Sequence, residues 1–270
     1  NAGLFSRIED LYQRRDSLGL DAEALRLVEG NYKDFVRAGA QLDSEQKEQL
    51  TAINLELAEL STRFSQNVLE EVNAMAIVVD SADELAGLTD AEIQAAADEA
   101  KARELPGKFV IPLLNTSGQP AMASLDNRAL RQRIHETSMS RGHRGGEFDN
   151  REIVSRTARL RAEKARLLGF DTHADYILQN QTAQTVAAVN QRLADLITPA
   201  VANARAEAAD LQAMIDAEGG DFELASWDWD YYTDKVRQQR YNFDGAELRP
   251  YFEVDNVLQN GVFFAANQIY

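Results

Sequence analysis

The chain has 270 residues, with 28 Lys and Arg against 44 Asp and Glu, and a formal charge of −16 at pH 7. That length suffices for one large domain or two modest ones with a buried core. The acidic balance repels nucleic-acid phosphates and anionic membrane surfaces, so neither is expected as a partner. With no cysteine in the chain, disulfides, cysteine zinc sites and thiol catalysis are excluded. No apolar run reaches the roughly 20 residues of a membrane span. An unstructured polyanion is also excluded, because 44% of the residues are hydrophobic and they recur at helical spacing.

Asn1-Ala2 reads as the scar of a cleaved expression tag. Residues 4–37 read as two short helices joined at "LGLD", with Asp21 as the N-cap of the second. The cleanest helix follows from Asp43 or Ser44. Leu50, Ile53, Leu57, Leu60, Phe64 and Val68 alternate steps of three and four and so form one apolar stripe. A stripe of that length predicts coiled-coil-like packing against a neighbouring helix.

Residues 76–125 change character. "AIVVD" is β-branched, and "GKFVIPLLNTSGQPAMASL" joins short extended runs to a turn cluster from Asn115 to Pro120. A small β-hairpin or a sheet of two or three strands is expected here, centred on 108–125. Between these runs "LTDAEIQAAADEAKAREL" predicts a short helix capped at Thr89 or Asp90. The fold class is therefore mainly α, with one small β element.

Helices resume at Asp126 or Asn127, and the first should stop at Gly142. The next is expected to begin at Asp149, with Glu152 completing a capping-box-like pair and Gly169 as its C′ residue. A further helix spans Thr172 to about Leu178. Residues 183–217 are alanine-rich and helical, and Pro199 either kinks that helix or divides it.

"RIHETSMSRGHR" starts like the zinc-peptidase motif H-E-x-x-H and then departs from it. Two histidines at i and i+4 share a helix face and can both reach a zinc ion, with the glutamate between as general base. Here the position four after His135 is Met139, a thioether poorly suited to zinc. The other histidines, His143 and His173, have no spacing that predicts convergence, and surface or hydrogen-bonded roles suit all three better. "SRGHRGG" lacks the order of a phosphate-binding loop and reads as a helix–helix turn whose arginines pair with nearby acids.

The least ordinary stretch is "SWDWDYYTDKVRQQRY". Trp227 and Tyr231 share a helical face, as do Asp228 and Tyr232, and Ser226 can cap the turn. Such a group could line a substrate channel. Large rings with polar tips also suit packing against another element, and composition favours that structural role.

Three stretches together resemble the thimet-oligopeptidase family of zinc metallopeptidases. They are "IPLLNTSGQPAMASLDNRALRQRIHETSMSRG", "DNREIVSRTARLRAEKARLLGFDTHADYIL" and "WDWDYYTDKVRQQRYNFDGAELRPYFEVDNVLQNGVFFAANQIY". The wording "LLNTSGQP" followed by "LDNRALR" is most similar to the bacterial peptidyl-dipeptidase branch. The resemblance implies an almost wholly helical fold around a deep channel that admits short peptides. It implies a parent in which zinc polarises the scissile carbonyl while a glutamate activates water, releasing C-terminal dipeptides.

No H-E-x-x-H occurs in the 270 residues. No catalytic or metal residue is therefore carried over, and this chain alone is expected to be inactive and to bind no zinc. The resemblance assigns residues 3–226 to a helical channel wall and 227–270 to the start of a catalytic half, whose remainder would be the chain's partner. Trp227, Asp228, Tyr231 and Tyr232 stand as channel candidates. Near the C-terminus Val257, Leu258, Val262, Phe263, Ala266 and Ile269 form an apolar stripe that requires covering. An endo-acting oligopeptidase of the same family, or a standalone helical interaction protein, are the rival readings. A cytoplasmic location is expected, or a periplasmic one if a removed N-terminus carried a signal peptide.

Overall fold

The computed structural model describes residues 2–242 and 245–270. They divide into two compact units: Asn1–Ala74 with Ser140–Ala200, and Met75–Met139 with Val201–Tyr270.

In the first unit α1 (Ala2–Arg14) and α2 (Ala22–Arg37) are the two expected N-terminal helices. Asp21 caps α2 by accepting from the Ala24 N–H at 2.8 Å. The two helices are held by stacked rings. Tyr12 lies 3.8 Å from Tyr32, and Phe5 sits about equally far from Tyr32 and Phe35, at 6.1 and 6.0 Å. α3 (Ser44–Ala74) runs 31 residues. Its start is fixed reciprocally: Asp43 accepts from the Gln46 N–H, and the Gln46 side chain accepts from the Asp43 N–H.

The helix that α3 packs against is distant in sequence: α6 (Arg151–Leu167). Ile53 and Leu60 of α3 meet Ile153 and Leu160 of α6 in one buried cluster. The pair runs antiparallel. Asn67 bonds Asn150 at one end of α3, and Lys164 bonds Asn54 at the other. The sequence places the start of α6 at Asp149, whereas the N-cap is Asn150. The buried Asn150 side chain is turned instead to α3, where it donates to the Phe64 carbonyl. α6 ends as expected. Gly169 adopts φ +83, and the Phe170 N–H returns to the Ala165 carbonyl at 2.9 Å. α7 (His173–Leu178) follows, capped by Thr172.

The second unit contains the β element. β1 (Ile77–Val79) and β2 (Phe109–Ile111) pair antiparallel, with Val78 opposite Val110. One strand thus comes from each end of the β-rich segment, and α4 (Asp90–Ala102) lies between them, closed by a Thr89–Glu92 capping box. No strand follows β2 within 112–125. Pro112 offers no N–H to a ladder. The buried Gln119 side chain instead fastens the loop, accepting from the Leu114 N–H and donating to the Leu114 and Thr116 carbonyls. A 3-10 turn covers Pro120–Ala123.

Gly87 is required here, since its φ is +93 and a Cβ would stand 1.9 Å from the Ser124 carbonyl oxygen. α5 (Arg128–Met139) starts at Asn127, which accepts from the Leu130 N–H. Leu85, Val110, Leu125 and Ile134 are all fully buried in this unit.

The boundary between the units falls within α8 (Val186–Ala217), a single helix that keeps Pro199 inside it rather than being divided there. Only Leu211 and Ile215 of α8 are buried. They pack with Tyr232 of α9 (Trp229–Tyr241), together with Phe222, Trp229 and Val236. After a 3-10 segment (Gly245–Phe252) come α10 (Val254–Asn256), a π-helical stretch (Val257–Phe263) and α11 (Phe264–Ile269). This run is exposed throughout: Val262 is 53%, Phe264 59% and Ile269 74% accessible. The apolar residues expected to form a stripe there, Val257, Leu258, Val262, Phe263 and Ile269, are all 36% or more exposed, and the π-helical turn from Val257 to Phe263 departs from the α-helical spacing that would align them.

Candidate functional site

The four aromatic and acidic residues singled out in "WDWDYY" stand at the entrance to α9 in the second unit. Asp228 organises them. It is fully buried, and its carboxylate is saturated with donors. Oδ1 accepts from Arg128 Nε at 3.0 Å and from the second amino group of Arg131 at 2.9 Å. Oδ2 accepts from Arg128 at 2.8 Å and from the Ala225 N–H at 3.1 Å.

Burial alone would push the Asp228 carboxyl up, but the bonds from Arg128, Arg131 and Ala225 outweigh it and hold the group below its ordinary value. A carboxylate so occupied keeps no free lone pair for a metal and does not exchange protons near neutrality. Its chemistry is that of an anchor.

Arg131 is the matching half. Its side chain is buried on α5 and donates further to the carbonyls of Leu125, Asp126 and Trp227. Rings lie against both guanidinium groups. Arg131 lies 4.1 Å from the Tyr231 centroid, and Arg128 lies 4.1 Å from Phe222 and 5.5 Å from Trp227. The Tyr231 hydroxyl donates to Asp126 at 2.8 Å. Its phenol is raised above its usual range, first by burial and then by that bond, with Lys235 opposing. Lys235 in turn pairs with Glu218 at 2.6 Å.

Of the four sequence candidates, Asp228 and Tyr232 are buried, at 0% and 6% exposure. Trp227 and Tyr231 are half-buried. The Trp227 Nε1 is buried without a hydrogen-bond partner among the described residues. Sequence reasoning missed Arg128 and Arg131, although a signal was there: Arg131 sits between Leu130 and Ile134, both buried, on the core side of α5.

The residues of the partial zinc motif are not brought together as ligands among the described residues. His135 is half-buried, with its ring 6.2 Å from Trp227. Glu136 accepts from Gln132 at 2.8 Å, and Met139 is exposed. His143 lies in the exposed turn, and His173 opens α7 in the other unit. Among the described residues no group of three or more His, Asp or Glu side chains could hold a metal, so these residues do not fit a zinc ion. In the "SRGHRGG" turn, Arg144 pairs at 2.8 Å with the buried Glu71, which also accepts from the Gly142 N–H. That donor set serves the turn rather than a phosphate. Among the described residues, no helix is long and apolar enough to cross a membrane.

The fold is thus helical and built around internal anchors, and its partial zinc motif assembles no ligand set among the described residues. Residues 121–270 match Peptidase family M3, and the chain belongs to that family. Individual relatives extend the likeness to the rest of the sequence. The chain is 39% identical over 270 residues, its full length, to the dipeptidyl carboxypeptidase of Escherichia coli K12. It is 32% identical over 272 residues to oligopeptidase A of the same organism, and 24% identical over 261 residues to saccharolysin of Saccharomyces cerevisiae. These alignments take in 100%, 99% and 93% of the chain, but only 40%, 40% and 35% of the relatives. The chain therefore spans about two fifths of the length of the bacterial relatives.

Proposed function

We propose that this chain is the helical wall region of a zinc-dependent M3 peptidase that, as a whole protein, removes dipeptides from the C-termini of short peptides. One observation carries the choice of reaction. Over nearly the same span of sequence, identity is 39–40% to two dipeptidyl carboxypeptidases against 32% to oligopeptidase A. The runner-up, an endo-acting oligopeptidase, rests on that second likeness.

Zinc and the residues that use it would lie outside these 270 residues, because the described ones offer no ligand set. The segment from Trp227 onward would begin the catalytic half. The exposed run from Val254 to Ile269 would be covered by the remainder of that half. Trp227 and Tyr231, which keep some exposed surface, remain the channel-wall candidates, with Asp228 and Tyr232 acting behind them as anchors.

The whole protein should release dipeptides from an N-acylated pentapeptide with a free C-terminus, lose that activity to a chelator and regain it with zinc. Internal cleavage without dipeptide release would favour the oligopeptidase reading. Failure of zinc to restore activity after chelation would remove the metallopeptidase reading altogether. The 270-residue chain alone should cleave nothing and hold no stoichiometric zinc.

A further inference from the structure

The stripe on α3 is not wholly covered by α6. Ile53 and Leu60 are buried against Ile153 and Leu160, but Phe64 is 40% and Val154 54% exposed. Between the helices they border a groove of about 410 Å³, whose apolar lining also includes Leu57, Leu60, Ile153 and Ala158. That volume lies within the range of small-ligand sites.

The groove has a polarity. At the end away from Phe64 stands Arg161, exposed and without an ion pair to any described residue. One helical step beyond it Lys164 is half-buried, and its ammonium donates at 2.7 Å to the neutral amide of Asn54. Both cations also stand near His173 of α7, where after burial their charges hold the imidazole below its ordinary value. The same helix pair can neutralise a cation, because Arg156 is matched to Glu56 at 2.6 Å. In a chain with 44 acidic residues against 28 basic ones, an apolar groove that ends in uncompensated positive charge favours a ligand with an apolar body and one terminal carboxylate.

We propose that the α3–α6 groove holds the carboxy-terminal residues of a short peptide, with apolar side chains against Leu57, Phe64, Val154 and Ala158 and the terminal carboxylate at Arg161. The proposal rests on the reading that the whole protein acts on peptides, and it adds a holding surface within the first unit. It involves no bond-making step.

The test titrates the isotope-labelled 270-residue chain with N-acetyl-Ala-Leu-Phe and with its C-terminal amide, following backbone amide resonances. Saturable shifts are expected at Val154, Thr157, Ala158 and Arg161. The free acid should bind about three to five times more tightly than the amide, which is what an exposed ion pair supplies. Arg161→Gln should abolish that difference and leave the amide's affinity unchanged, with the circular dichroism of the chain unaltered. Val154→Asp should weaken both peptides, so the groove is tested apart from the charge.

Equal affinity for acid and amide would overturn the proposal. So would shifts confined to residues outside α3 and α6, or no saturation at millimolar peptide. Dipeptide release by the whole protein is scored separately. Release without groove binding sinks this inference alone, and groove binding without release sinks the proposed reaction alone.

Discussion

Asp228 and the Val254–Ile269 run lie in the same unit and within the same family match, yet they are opposites in packing. Around Asp228 the charged groups and a phenol are matched: a buried carboxylate with two arginines, the Tyr231 hydroxyl with Asp126, a lysine with Glu218. From Val254 onward a sequence rich in apolar residues contributes no buried residue, and Val262, Phe264 and Ile269 are 53%, 59% and 74% exposed. The contrast separates two properties that a hydrophobic pattern merges. Periodicity says which face needs a partner. Long-range polar pairing says which face has found one.

The largest expected effect tests the anchored side. Asp228→Asn keeps the shape but leaves Arg131 buried without its counter-charge, and should cost about 3–5 kcal/mol. The chain's two tryptophans are Trp227 and Trp229, which flank Asp228, so their fluorescence during urea unfolding reports this region directly. The pH dependence follows from the lowered carboxyl. A group held below its unfolded value, near 3.9 for Asp, contributes stability above that value and loses it as pH falls through the folded one. The gap between the unchanged chain and Asp228→Asn should therefore be full at neutral pH and narrow only below about pH 4. A gap that is flat from pH 7 to pH 2 would mean the carboxylate is not the anchor.

Next comes Gly87→Ala. A methyl group placed 1.9 Å from the Ser124 carbonyl oxygen forces the backbone apart, and the φ of +93 adds strain. A loss of about 3 kcal/mol is expected, at the upper end for single substitutions. Gly107→Ala is the internal control. It has a similar φ of +81 but nothing within 4 Å, so it should cost only about 1 kcal/mol of backbone strain. Comparable thermal midpoints for the two variants would refute the close approach at Gly87.

Trp227→Ala should cost somewhat less than the roughly 3–5 kcal/mol of a fully buried aromatic, because Trp227 is half-buried and its indole N–H makes no bond among the described residues. About 2 kcal/mol is expected on that scale. An unchanged thermal midpoint would take the ring out of the packing role and leave it as channel wall only.

Much of this was legible because local chemistry decides it. The stripe on α3, the caps at Asp21 and Thr89 and the C′ glycine at Gly169 each follow from a few neighbouring residues. What escaped was long-range. That α3 would pair with α6 rather than with a neighbour, and that β1 and β2 would come from opposite ends of their segment, depends on chain closure that no short window records. The cap position of α6 falls on Asn150 while the Asn150 side chain serves a distant partner, the Phe64 carbonyl. Arg128 and Arg131 escaped for the same reason, since a helical arginine looks solvated until its acid arrives from a hundred residues away.

The smallest expected effect tests the uncovered side. Phe264 is 59% exposed in α11, so Phe264→Gln removes little packing from this chain. Its unfolding free energy should change by no more than about 0.5 kcal/mol, the usual range for surface substitutions. A large aromatic left in water is normally a liability, and the change should also lower the chain's tendency to associate, read by sedimentation at rising concentration. The same substitution in the whole protein is the informative comparison. If the remainder of the polypeptide covers this helix, Phe264 becomes a buried ring there, and its loss should cost about 3 kcal/mol or more. A near-zero change in both settings would mean the run stays exposed in the whole protein. A large change already present in the 270-residue chain would mean that its neighbours cover it here.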